Sequence, residues 1–72
     1  MNVRTEFGNR IRELRARSGM SQEVLAHRAG MDRSYLSGVE RGLRNISLDN
    51  IERLAKALNV SISYMFAVER LS

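Results

Sequence analysis

Apolar residues along this chain recur at helical spacing, with no sustained alternation of the strand type. Phe7, Ile11 and Leu14 fall at i, i+4, i+7, and Ile51, Leu54, Ala55 and Leu58 repeat that face further on. Between them stand two shorter apolar sets, Val24, Leu25 and Ala29, then Leu36 and Val39. The ends of these stretches are marked as clearly as their faces. Four times an apolar residue precedes a Ser or Asp and another follows four positions after it: Met20-Ser21-Leu25, Met31-Asp32-Leu36, Ile46-Ser47-Ile51 and Val60-Ser61-Met65. In each, a side-chain oxygen can satisfy a free N–H of the first turn while the apolar pair staples the entering chain. Gly19, Gly30, Gly42 and Asn59 each follow a helical stretch, where a left-handed residue is wanted. The pattern predicts an all-α domain spanning 1–72, with five helices over 5–18, 22–29, 33–41, 48–58 and 62–70.

The second helix joins the third by a very short turn through Ala29-Gly30-Met31. Two short helices joined so tightly must cross steeply, and Ala26 offers a small residue where they would meet. This is the spacing of a helix-turn-helix that binds DNA, over about 22–41. The third helix would be the recognition helix. Its inward Leu36 and Val39 leave Arg33, Ser34, Ser37, Gly38 and Arg41 facing outward.

Charge sharpens this picture. Residues 1–44 carry nine Arg against Glu6, Glu13, Glu23, Asp32 and Glu40, so the whole net charge of +4 lies there. The remaining residues balance Arg53, Lys56 and Arg70 against Asp49, Glu52 and Glu69. Eleven of the twelve basic residues are Arg, the side chain suited to paired bonds with phosphate and guanine. A solvated surface tuned for solubility is the plainer reading of the same charge. With no Cys and one His, neither disulfides nor a metal site is expected, and no cofactor is called for. No apolar run approaches the ~20 residues of a membrane span and no signal-peptide core opens the chain, which predicts a cytoplasmic protein.

The stretch from Ser21 to Val60 resembles the Cro/C1-type helix-turn-helix family, also called the Xre family. The resemblance rests on Met20-Ser21-Gln22, Leu25-Ala26, Ala29-Gly30, Glu40-Arg41-Gly42 and Ala55-Lys56-Ala57-Leu58, preceded by Arg10-Ile11-Arg12-Glu13-Leu14-Arg15. Within that family, Asp32 to Arg41 followed by Arg44-Asn45 is similar to the controller proteins of restriction-modification systems. The resemblance implies a five-helix lambda-repressor-like domain, acting as a homodimer on a palindromic double-stranded DNA operator to regulate transcription. It implies base contacts for Arg33, Ser34, Ser37 and Gly38. Gln22, Tyr35, Arg41, Arg44 and Asn45 would lie at the flanking phosphates, with Arg44 also able to reach a base and Tyr35 also able to pack on the domain. At Gly38 some members carry a base-contacting Gln, and a small residue needed for packing is an equal reading. Glu23 resembles a position where some activators of the family touch a sigma subunit of RNA polymerase; a solvated Glu is the simpler reading.

The resemblance further implies a partly buried ion pair between Arg15 and Glu40, tying the first helix to the motif. In the last helix Ile62, Met65 and Phe66 can face the core, while Tyr64, Val68 and Leu71 form a second apolar face at i, i+4, i+7. Such a face on a small protein suggests a partner, here a second copy joined through about 61–71. Covering the end of the core is its other reading. Catalysis is not expected: His27 reads as an exposed polar residue, and spacing supplies no triad or carboxylate pair. The alternatives from other classes are an antitoxin-like protein-interaction module, a small phage-type repressor and an RNA-binding helical module.

Overall fold

Ser21, Ser47 and Ser61 each open a helix in the computed structural model, which describes residues 2–67. Their hydroxyl oxygens accept from the backbone N–H of Val24, Asn50 and Tyr64 at 3.1, 3.1 and 2.9 Å. Five helices follow in order: α1 (Val3–Arg17), α2 (Gln22–Ala29), α3 (Arg33–Glu40), α4 (Leu48–Leu58) and α5 (Ile62–Met65). No strand occurs among the described residues. Met20, Met31, Ile46 and Val60, the residues before the four caps, all pack half-buried against the core. Their counterparts Leu25, Leu36, Ile51 and Met65 are buried within it. Gly19, Gly30, Gly42 and Asn59 all take positive φ, as the stop signals require.

Several boundaries and faces differ from expectation. α1 begins at Val3 because Asn2, not read as a cap, accepts from Thr5 N–H at 2.9 Å. Asp32 occupies the cap position of α3 without making a side-chain cap bond, and α3 closes at Glu40 with Arg41 as its C-cap. α5 is a single turn followed by a turn at Phe66; of the helix expected over 62–70, residues 68–70 lie outside the described residues. Val24 is 40% exposed, on the outer side of α2, and Ile62 points outward as well. Phe66 is half-exposed, yet its ring stacks on Phe7 with centroids 5.2 Å apart.

The core joins Phe7, Ile11 and Leu14 of α1 to Leu25, Ala26 and Ala29 of α2, to Leu36 and Val39 of α3, and to the inner face of α4. α1 lies closest to α3 where Gly8 meets the end of that helix. A Cβ on Gly8 would overlap the Val39 carbonyl oxygen and stand 2.6 Å from that of Glu40. This approach brings the second half of α1 against Glu40 and sets the base of the recognition helix.

Candidate nucleic-acid interface

The crossing of α2 and α3 follows from three small residues. Ala26 and Ala29 are buried, and Gly30 turns the chain in the left-handed region. There Gly30 N–H donates to the His27 carbonyl at 3.1 Å and Met31 N–H to that of Ala26 at 3.0 Å, satisfying the last carbonyls of α2. α3 then buries Leu36 and Val39 and presents Arg33 and Ser34, both exposed, on its outer side. Ser37 is half-buried on the next turn, and Arg41 is exposed beyond the end of the helix. Asn45 is exposed in the loop that follows.

Gly38 does not reach the surface, although it was expected among the base-contacting residues. It is buried beneath Arg44, whose Cγ and Nε would stand 2.9 and 3.1 Å from a Cβ at position 38. The Arg44 guanidinium continues across helix α3 and lies 5.7 Å from the centroid of the Tyr35 ring. The glycine thus makes room for an arginine delivered from the following loop. Tyr35 is half-buried, and its hydroxyl oxygen accepts from Asn50 Nδ2 at 3.2 Å, which leaves its own proton to be donated outward. Sequence reasoning passed over Asn50, whose position two residues into α4 carries no local sign of this contact.

The inner end of α3 is held by Glu40, 1% exposed. Arg15 Nε lies 2.7 Å from Glu40 Oε2 and Arg15 Nη2 lies 3.0 Å from Oε1, a paired bridge. Gln22 Nε2 donates to the same Oε1 at 3.0 Å, and Arg12 Nη2 donates to the Glu40 backbone carbonyl at 3.0 Å. One buried carboxylate therefore ties α1, α2 and α3 together. The Arg15 guanidinium is held above its ordinary pKa, chiefly by its hydrogen bonds to Glu40, with burial opposing and the carboxylate charge assisting. Gln22, expected at a phosphate, is engaged with Glu40 by one N–H and keeps the second for an outside acceptor.

This arrangement narrows the reading of the N-terminal charge. Arg10, Arg12, Arg15 and Arg17, all on α1, donate to acceptors within the protein. Four of the nine arginines in residues 1–44 are committed there, and periodicity within α1 reveals only the Glu13 pairs with Arg10 and Arg17. Arg28, Arg33 and Arg41 make no hydrogen bond or ion pair among the described residues. They and Arg44 are among the cations available to a polyanion on this side.

Other expected sites fall elsewhere. Tyr64, placed on a partner-facing surface by its spacing, is half-exposed but leans on α1, with the Arg10 guanidinium 4.9 Å from its ring centroid. Val68 and Leu71, expected beside it, lie outside the described residues. His27 and Glu23 are exposed on α2. Among the described residues no cluster of three or more His, Cys, Asp or Glu could hold a metal, and no helix is long and apolar enough to cross a membrane.

Comparison with known proteins gives consistent results. The helix-turn-helix family model matches residues 11–65. Control protein C.BamHI of Bacillus amyloliquefaciens is 52% identical over 60 residues, covering 82% of this chain and 74% of its own. Control protein C.MunI of Mycoplasma sp is 36% identical over 67 residues, covering 92% and 90%. Among solved structures, the restriction-modification controller protein C.AhdI from Aeromonas hydrophila is similar with a TM-score of 0.85 and 55% identity, over 86% of this chain and 94% of that one.

Proposed function

The chain belongs to the helix-turn-helix family of the restriction-modification controller proteins, and from that premise we propose that it is a sequence-specific, double-stranded-DNA-binding transcription regulator. It acts as a homodimer on a palindromic operator and controls its own transcription together with that of a restriction-modification system. The observation that carries this reading is the division of α3. Its outer side offers exposed Arg33 and Ser34 without internal partners, while its inner end is fixed through the buried Glu40.

The division of labour on DNA follows from position. The first turn of a recognition helix goes deepest into the major groove, where Arg33 can donate to guanine O6 and N7 together. Ser34 and Ser37 reach neighbouring base edges. Arg41, Arg44, Tyr35, Gln22 and Asn45 surround the helix and donate to phosphates on either side of the groove, fixing its register. Arg44 crosses α3 over Gly38, which supports a base contact for it as well. Association is driven largely by counterion release and so weakens as salt rises.

Dimerisation involves the α5 region, where Ile62, Tyr64 and Phe66 are each about half exposed on five consecutive residues. A two-fold partner there places two recognition helices about 34–36 Å apart, one DNA turn. Glu23, exposed on α2, is available to a sigma subunit in an activating complex. Footprinting the protein on DNA upstream of its own gene tests the proposal. A protected pair of inverted half-sites one turn apart is expected; protection without a sequence boundary, or none at low salt, refutes it.

A further inference from the structure

Arg10 takes no part in the DNA-facing surface or in the Glu40 cluster, yet it is only 7% exposed. Its Nε donates to the Met65 carbonyl at 3.1 Å and its Nη2 to the Tyr64 carbonyl at 2.8 Å. Its guanidinium also lies 4.9 Å from the centroid of the Tyr64 ring. Nη1 donates to Glu13 Oε1 at 3.1 Å, and Glu13 Oε2 accepts from Arg17 Nη2 at 2.7 Å. Arg17 Nη1 in turn reaches the Tyr64 hydroxyl at 3.5 Å. Tyr64 is thereby held at its carbonyl, its ring face and its hydroxyl. One turn earlier on α1, Phe7 stacks on Phe66.

A four-residue helix has no stability of its own, and its last carbonyls lack partners within it. A buried guanidinium is equally unfavourable unless its N–H groups find acceptors. The Tyr64 carbonyl also accepts from Ala67 N–H at 3.0 Å, so Arg10 adds a second donor there and supplies one to the Met65 carbonyl, at the turn that carries the exposed Ile62, Tyr64 and Phe66. We propose that Arg10 is a positioning residue for self-association: by pinning residues 64 and 65 to α1, it sets the angle at which this apolar surface meets a second copy. The inference rests on the dimer reading above. In a two-fold pair both copies carry the same tilt, so an error at the interface is repeated at each end of the operator.

The test uses the full chain and two duplexes: the footprinted operator, and the same duplex with one half-site scrambled. Arg10→Met keeps much of the aliphatic stem and removes every donor; Arg10→Lys keeps the charge but cannot span both carbonyls. Sedimentation equilibrium is expected to show the dimer dissociating at least about tenfold more readily in Arg10→Met, comparable to losing one hydrogen bond to a charged group. Arg10→Lys should fall between it and the wild type. Affinity for the intact operator should fall by at least the same factor, while affinity for the single half-site stays within about twofold. A merely structural loss would lower binding to both duplexes alike, and that result overturns the proposal. So does a folded Arg10→Met that dimerises as the wild type does. If Arg10→Met loses its far-ultraviolet helical signal, Arg10→Lys and Glu13→Gln decide. Glu13→Gln weakens the brace to Arg17 but leaves the buried bonds, and unchanged dimerisation in both variants overturns the proposal. A wild type that stays monomeric with and without operator sinks the dimer reading itself, a different failure from equal dimerisation of wild type and variant.

Discussion

Replacing Gly8 with Ala sets helix propensity against packing. Propensity alone makes the change inside α1 stabilising by about 1 kcal/mol. The structure predicts the opposite sign. The new Cβ would overlap the Val39 carbonyl oxygen and stand 2.6 Å from the Glu40 oxygen and 2.8 Å from the Glu40 carbonyl carbon. All three are backbone atoms at the end of α3, so no side-chain rotation relieves the contact. A carbon–oxygen approach of about 3.3 Å is the ordinary lower limit, so α1 must withdraw by roughly 0.7 Å to clear the Glu40 oxygen and further to clear that of Val39. That withdrawal acts directly on the bonds from Arg12 and Arg15 to Glu40, which span 2.7–3.0 Å. Overpacking of this kind costs about 1–3 kcal/mol, and stretching bonds to a charged group adds about 1 kcal/mol. After the propensity gain, a net loss of about 1–3 kcal/mol remains, with each kcal/mol lowering the melting temperature by about 4–8 °C. Urea titrations followed by circular dichroism measure it. Asn9→Ala, an exposed neighbour on the same helix, is the control and should stabilise by about 0.5 kcal/mol. If Gly8→Ala matches or exceeds the wild type, as Asn9→Ala should, then the close approach of α1 to α3 is not what requires glycine.

Glu40→Ala strands Arg15 beside a cavity and should cost about 3–5 kcal/mol in the same assay; a loss below about 1 kcal/mol contradicts a buried hub. Arg15, with its folded pKa raised, contributes fully below its unfolded pKa and loses that contribution only as pH climbs through the folded value, so it adds no slope to stability between about pH 7 and 11; a slope there that Arg15→Met abolishes would contradict this. Gly38→Ala meets a movable side chain instead of backbone, so stability should rise by up to about 1 kcal/mol while the displaced Arg44 lowers operator affinity a few-fold; loss of stability with unchanged binding reverses the assignment. Arg33→Ala should cost about 1–3 kcal/mol on cognate DNA and little on scrambled DNA, whereas Arg41→Ala weakens both and flattens the salt dependence by about one unit. If Arg33→Ala lowers both affinities by one factor, base reading must move to Arg44.

The ends of α2, α3 and α4 were legible to within a residue because caps, staples and left-handed stops are local: each involves residues within five positions of one another. Asn2 carried the same kind of signal and could have been read, since it stands three residues before Thr5. What escaped was contact between distant segments. Nothing near Gly8 in the chain indicates that α3 ends against it, although a glycine inside an otherwise good helix is a hint of close approach. The buried acceptors of Arg10 and the acceptor of Arg12 lie on other helices, out of reach of local reasoning, whereas the Glu13–Arg17 pair one turn apart on α1 was open to it. Gly38 could be placed on the outer side of α3 by periodicity, but not beneath an arginine six residues later. Val24 was misplaced because α2 is too short for its apolar positions to define one face.

The hold that Glu40 gives to α3 bears on how such a protein could acquire a new operator. The hydrogen bonds that fix the helix sit at its last residue and its core contacts are made by Leu36 and Val39, whereas the side chains proposed for base contact lie on its outer side. Residues 33 and 34 can therefore vary in identity with little penalty to folding, because both are exposed and neither closes the core. On the proposed reading, recognition and architecture occupy different faces of one eight-residue helix, so a lineage can explore new DNA sequences one outward substitution at a time without first finding compensation inside.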